Sequence, residues 1–166
     1  MTLVIKTTLP VGALHAKHSV SDGYHMDCFE TEIDGDVSLT RFVEAFYMGR
    51  LFKIERVILR HTIKRPSTDD QARQIATGEI AQFAAWDMEE RTETQLLMRD
   101  LKGATKSWFM VEPLPGGSTR LRFGSVVCPK PGTADLPRLV KPLMRFHELY
   151  SKLLLKGAVA RLKAQR

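Results

Sequence analysis

The sequence predicts an α+β domain in which a curved antiparallel sheet wraps around one long C-terminal helix. Three observations lead there. The hydrophobic period changes from about 3.6 residues to 2 near residue 79, turn-rich segments cut the period-2 region into hairpin-sized pieces, and a single amphipathic stretch closes the chain. Segregation of helical and strand patterns favours helices collected on one face of an antiparallel sheet.

Residues 24–33 read as the first strand, bounded by Ser21-Asp22-Gly23 and Asp34-Gly35-Asp36. Ser38 is placed to cap a helix over 39–48, with Leu39, Phe42, Val43 and Phe46 on one face and Gly49 as its stop. A second helix follows over 51–61. Its period places Leu51, Ile54, Val57 and Ile58 inward, and Lys53, Glu55, Arg56 and Arg60 outward. Thr68 and Gln71 have capping-box spacing at the head of a third helix, which Gly78 ends.

Four strand patterns follow, over 83–91, 94–101, 105–112 and 119–127, joined by connections short enough for hairpins. A division of 79–91, or a strand within 2–9, would raise the count from five towards seven. Cys128-Pro129-Lys130-Pro131-Gly132 breaks the meander. The terminal helix starts between Pro137 and Lys141, because Pro137 and Pro142 are tolerated only near a first turn, and runs to about residue 163. The chain is thus one domain over 1–166: a lead-in over 1–22, a sheet with a helical insertion over 24–128, and a helix over 137–163.

Composition narrows the function classes. The 166 residues are 43% hydrophobic and 27% charged, a balance that supports a core without metal or disulfide staples. Cys28 and Cys128 stand too far apart in sequence for a CxxC pair, the apolar runs are too short to span a bilayer, and no signal peptide is visible at the N-terminus. A cytoplasmic setting is expected. Of 25 Lys and Arg against 19 Asp and Glu, the whole excess of +6 falls in residues 135–166; residues 1–134 are balanced. The basic side chains of the last helix, with Lys152 and Lys156 prominent, form one face without interleaved aromatics, so nucleic acid is not an expected partner.

The opposite face of that helix carries Val140, Leu143, His147, Tyr150, Leu154 and Ala158. His147 and Tyr150, spaced i, i+3, put an imidazole and a phenol on an otherwise apolar surface turned towards the sheet. They are the candidate polar anchors for a ligand, and the candidate catalytic pair if the domain is an enzyme. Trp86, Met98, Trp108, Met110 and Phe123 are the expected apolar walls. Arg99, Arg120 and Arg122 are expected on the solvent face, with an inward carboxylate clamp as the sharper alternative. Cys28, with His25 or His147, is a weak nucleophile candidate against the simpler reading as a small buried hydrophobe. No two histidines among His15, His18, His25, His61 and His147 have zinc-helix spacing, so no metal or cofactor is expected.

The order of elements from Tyr24 to Arg161, with the tail Arg145-Phe-His-Glu-Leu-Tyr-Ser-Lys-Leu-Leu-Leu155 and its Phe146-His147-Glu148-Leu149-Tyr150 motif, resembles the helix-grip, START-like (SRPBCC) superfamily. That superfamily includes polyketide cyclases and plant-allergen-type ligand carriers, and the tail is similar to uncharacterised bacterial members. The resemblance implies a cavity between sheet and terminal helix that takes a small apolar or amphipathic molecule. It supplies no shared catalytic residue. Two further roles stay open: a cyclase- or dehydratase-like enzyme using His147 as general acid/base, and an interaction module using the basic helix at a membrane or protein partner; a homodimer is a separate open expectation.

Overall fold

The computed structural model describes residues 3–17, 23–62, 64–128 and 140–165. His18, Ser21-Asp22, the Pro-rich break over 129–132 and the expected helix start over 137–139 lie outside the described residues, as do the side chains of Lys141, Leu143 and Arg145.

Seven strands form one antiparallel sheet: β1 (Ile5–Lys6), β2 (His25–Asp34), β3 (Gln82–Phe83), β4 (Trp86–Arg91), β5 (Gln95–Asp100), β6 (Thr105–Leu114) and β7 (Ser118–Val127). Their spatial order is β1-β2-β7-β6-β5-β4-β3. Between β2 and β3 come α1 (Leu39–Tyr47), α2 (Arg50–Thr62) and α3 (Asp69–Thr77), and α4 (Val140–Ala164) ends the chain. Both conditional strands are present. Ala84, at φ 52°, turns the chain between β3 and β4 and divides the expected strand over 83–91 in two.

The caps behave as the residue types dictate. The Ser38 hydroxyl accepts from Arg41 N at 3.3 Å, while Thr68 and Gln71 complete a reciprocal capping box. Gly78 adopts φ 87° as the left-handed stop of α3.

Register decides which side chains share a face. Leu96 pairs with Phe109, Phe109 with Phe123, and Phe123 with Phe29, so these four stand in one row. They face α1 and α4, packing with Phe42, Phe46, Leu155 and Val159 in the main core. The ring centroids of Phe46 lie 4.8 Å from Phe109 and 4.6 Å from Phe123. The next row along, Leu97, Trp108, Gly124 and Cys28, necessarily faces the other way.

That outer row is covered by the lead-in. A 3-10 turn over Leu14–Lys17 and the residues before it lie across β5 and β6, with Leu9, Ala13 and Leu14 packed on Trp108 and Leu97. Gln95 ties them down: its amide oxygen accepts from Trp108 Nε1 at 2.8 Å and Leu14 N at 3.1 Å, and its Nε2 donates to Gly12 O. His15, fully buried, lies 4.4 Å from Trp108 between ring centroids. Gly124 makes this possible. A Cβ there would sit 2.7 Å from Asp27 O, 3.0 Å from His15 Nε2 and 3.2 Å from Trp108 Cε3.

The inward face of α2 departs from expectation. Ile54, Val57 and Ile58 are 59%, 57% and 54% exposed, whereas Phe52 and Arg56 are buried and Glu55 turns inward. The cause is the partners available. Phe52 joins Phe46, Tyr47, Phe83 and Trp86 in an aromatic cluster, and Arg56 is claimed by Ser67 and by Asp69 Oδ1 at 2.7 Å. Asp69, held by Lys53 and Arg56, is pulled down to a pKa of about 2.

Two glycines give opposite expectations. Gly124→Ala should destabilise the protein by about 1–3 kcal/mol through overpacking between sheet and lead-in. Gly157→Ala, in α4 with nothing within 4 Å of the added methyl, should stabilise it by about 0.5–1 kcal/mol. Urea unfolding midpoints at constant m-value measure both.

Candidate functional site

The inner face of the sheet changes character along its strands. Towards one end of β6 and β7 it carries Phe109, Val111, Leu121 and Phe123; towards the other it carries Thr105, Ser107 and Ser125, with Asp27 beside Ser125 on β2. The N-terminal half of α4 lies over this polar end and presents His147, Tyr150 and Ser151, while Leu154, Leu155, Ala158 and Leu162 continue over the apolar end. Between them is a cavity of about 230 Å³. Phe46, Tyr47, Phe52, Trp86, Phe123 and Leu154 supply its apolar walls; Glu55, Thr105, Ser107, Ser125, His147, Tyr150 and Ser151 supply the polar ones. A second, more open hollow of about 400 Å³ shares Glu55, Trp86 and Thr105 and runs out to Arg65, Leu101 and Lys102.

Two hydrogen-bonded groups contribute to this lining. In the first, Asp27 Oδ1 accepts from Ser125 N and from Ser125 Oγ, each at 2.9 Å, and Ser125 Oγ lies 2.7 Å from His147 Nε2. With the Ser125 proton on the Asp27 side, Nε2 donates to Ser125 Oγ, which sets the imidazole tautomer. Asp27 is 3% exposed, and burial pushes its carboxyl above the usual range against the opposing pull of Ser125 and His147. In the second, the Tyr150 hydroxyl donates to Glu55 Oε2 in a short contact. Burial raises Glu55, although the Tyr150 hydrogen bond favours its charged form, and burial next to Glu55 raises Tyr150.

The sequence-derived site residues divide. Trp86, Phe123, His147 and Tyr150 line the cavity. Met98 is on the inner face, fully buried within the main core rather than on the cavity wall. Trp108 and Met110 are on the outer face, against the lead-in, and their assignment to the same wall as Phe123 is corrected by register: Trp108 pairs with Gly124, one residue out of phase. Arg120 and Arg122 are likewise on the outer face, bonded to Glu30, Glu32 and Glu112, so neither holds an inward clamp. Cys28 faces away from His147, and burial pushes its thiol up to about 12, which removes the nucleophile reading. No three or more His, Cys, Asp or Glu residues converge as a metal cluster among the described residues.

Nothing in the sequence marks Asp27, Tyr47, Glu55 and Ser125 as site residues. Asp27 and Ser125 each look like one polar residue in an alternating strand, and Glu55 like one charge among several on a surface helix. Only the approach of β2, β7, α2 and α4 makes them a group.

The raised carboxyl of Glu55 has a signed consequence. Because the folded state holds the proton more tightly than the unfolded chain (about 4.3 for free Glu), stability is lost as pH rises from there through the raised value. Glu55→Gln keeps an acceptor for Tyr150 and removes this loss. The variant should melt above the native protein near pH 8, and the difference should vanish near pH 4, as read by thermal unfolding at both values. Compared with known proteins, the chain matches no family model and no curated protein.

Proposed function

We propose that the protein binds a small, largely apolar molecule in the cavity between its sheet and C-terminal helix, on a helix-grip scaffold of the START-like kind. One observation carries this reading: a space lined both by aromatic rings and by two hydrogen-bonded polar groups, His147–Ser125, backed by Asp27, and Tyr150–Glu55. Such a mixture of apolar lining and a few convergent polar groups is the usual make-up of a ligand site. Size supports a compact ligand. About 230 Å³ lies between the ~150 Å³ that accommodates benzene and the ~300 Å³ at which sites for drug-sized molecules begin. His147 and Tyr150 serve as polar anchors, with Trp86 and Phe123 against the apolar body.

A catalytic reading is favoured by the Asp27–Ser125–His147 chain. His147 gives or takes a proton at the substrate, Ser125 passes it on, and Asp27, raised by burial, is able to hold it. This is the arrangement a cyclase- or dehydratase-like general acid/base needs. The interaction-module reading draws support from Phe146, Leu149 and Leu153, which are 64%, 56% and 45% exposed on the helix that carries Lys152 and Lys156.

Native mass spectrometry of freshly purified protein, followed by denaturation and extraction, tests the first reading. A discrete added mass is expected. His147→Ala should reduce its occupancy by about tenfold, equivalent to one charged or polar contact, while the melting temperature moves by only a few degrees. If retention and stability collapse together, His147 is a core side chain and the reading loses its anchor. Catalysis predicts in addition a pH-dependent rate that His147→Ala abolishes.

A further inference from the structure

We infer that the ligand of this cavity is a small organic cation, a protonated amine or N-heterocycle joined to a compact apolar body, held by Glu55 against the aromatic rings. The inference rests on the cavity reading above and adds the ligand's charge.

Glu55 is the acidic side chain of the lining, and no base is paired with it among the described residues. Glu55 has one hydrogen-bond donor, the Tyr150 hydroxyl, and makes no ion pair among the described residues. Lys106 contributes to the lining, yet its ammonium is on the outer face at 2.7 Å from Glu89. Arg65 and Lys102 border the outer hollow without pairing with Glu55, and Arg65 Nη1 reaches Gln82 instead. Asp27, directly behind Ser125, leaves Oδ2 buried without a hydrogen-bond partner among the described residues. A carboxylate taken out of water needs a positive or donor-rich partner; Asp27 has the two Ser125 donors on Oδ1, whereas Glu55 has Tyr150 alone among the described residues.

A second observation points to the same ligand. Tyr47 is 2% exposed and lines the cavity, and its hydroxyl has no partner among the described residues. A buried phenol both donates and accepts; with the Glu55 carboxylate in the same lining, its oxygen is an acceptor that an ammonium held by Glu55 fills. Phe52 and Trp86, with ring centroids 5.6 Å apart, and Tyr47, 4.8 Å from Phe52, add π faces beside the same carboxylate. Aromatic faces around a carboxyl group form the chemistry that favours a desolvated cation over its neutral isostere. An anionic ligand would instead meet the Glu55 carboxylate, with the Lys106 ammonium already paired to Glu89.

Three probes of one shape test this: benzylammonium, benzyl alcohol and benzoate, titrated into the 166-residue protein near neutral pH and followed by amide and indole NMR shifts. Benzylammonium should perturb the Trp86 indole and bind about tenfold or more tightly than benzyl alcohol, with benzoate weakest. Glu55→Gln should erase the preference for the cation while benzyl alcohol still binds. Tyr47→Phe, which removes only an unpartnered hydroxyl and so leaves the fold in place, should weaken benzylammonium several-fold. If benzyl alcohol or benzoate binds as well as the amine, or neither variant changes amine affinity, the charge assignment is wrong while the cavity stands. If no probe perturbs residues of the cavity, the cavity reading and this inference fall together.

Discussion

The pairing of Phe29 with Phe123, Phe123 with Phe109 and Phe109 with Leu96 sets the parity of four neighbouring strands, and everything else in the molecule is placed by it. In this phase the aromatic row meets α1 and α4, the row of Trp108, Gly124 and Cys28 meets the lead-in, and Ser107 and Ser125 come to the cavity with Asp27 behind Ser125. A slip of one residue in any pair would exchange these sets, burying Arg120 and Arg122 under α4 and leaving the phenylalanines outside. The cost of either event explains why the register is strongly specified. Gly124 fixes the same phase from the other side, since only a residue without Cβ fits between Asp27 O, His15 and the Trp108 ring.

Given that parity, the cavity follows from a gradient in side-chain type. The inner face is hydrocarbon where α4 offers Leu154, Leu155, Ala158 and Leu162, and polar where it offers His147, Tyr150 and Ser151. Packing an apolar core to native density leaves few voids, whereas short polar side chains such as Ser107, Ser125 and Ser151 do not fill the space that a leucine would. The void is therefore at the polar end. There, buried carboxyls at Asp27 and Glu55 are held above their ordinary range, and the phenol of Tyr47 is unpaired among the described residues. Groups arranged this way cost stability, and they are concentrated around one space.

The long helix α4 is bound on one side and open on another. Its inward side closes the core and the cavity; Phe146, Leu149 and Leu153 remain exposed, as do Ile54, Val57 and Ile58 of α2, the helix to which Tyr150 reaches through Glu55. For α2, apolar period alone pointed the wrong way. Three aliphatic residues defined a stripe, but Phe52 had aromatic partners in Phe46, Tyr47 and Trp86, and Arg56 had the Ser67–Asp69 acceptors, so the helix rotated those residues inward.

The α+β class, the strands of the meander, the capped starts of α1 and α3 and the inward turn of His147 and Tyr150 were all legible in the sequence, because capping, turn chemistry and period are local. Face identity across the sheet was not: alternation says that Trp108 and Phe109 point opposite ways but not which of them shares a face with Phe123. That depends on pairing between strands distant in sequence, as does the covering of Trp108 by residues 9–17. The cavity is more remote still from local pattern. Glu55 and Tyr150 are 95 positions apart, and Asp27 and Ser125 are 98 apart. Each is an ordinary polar residue until the tertiary fold removes the water around it, and it is that loss of water which raises the proton affinities of Asp27, Glu55 and Tyr150.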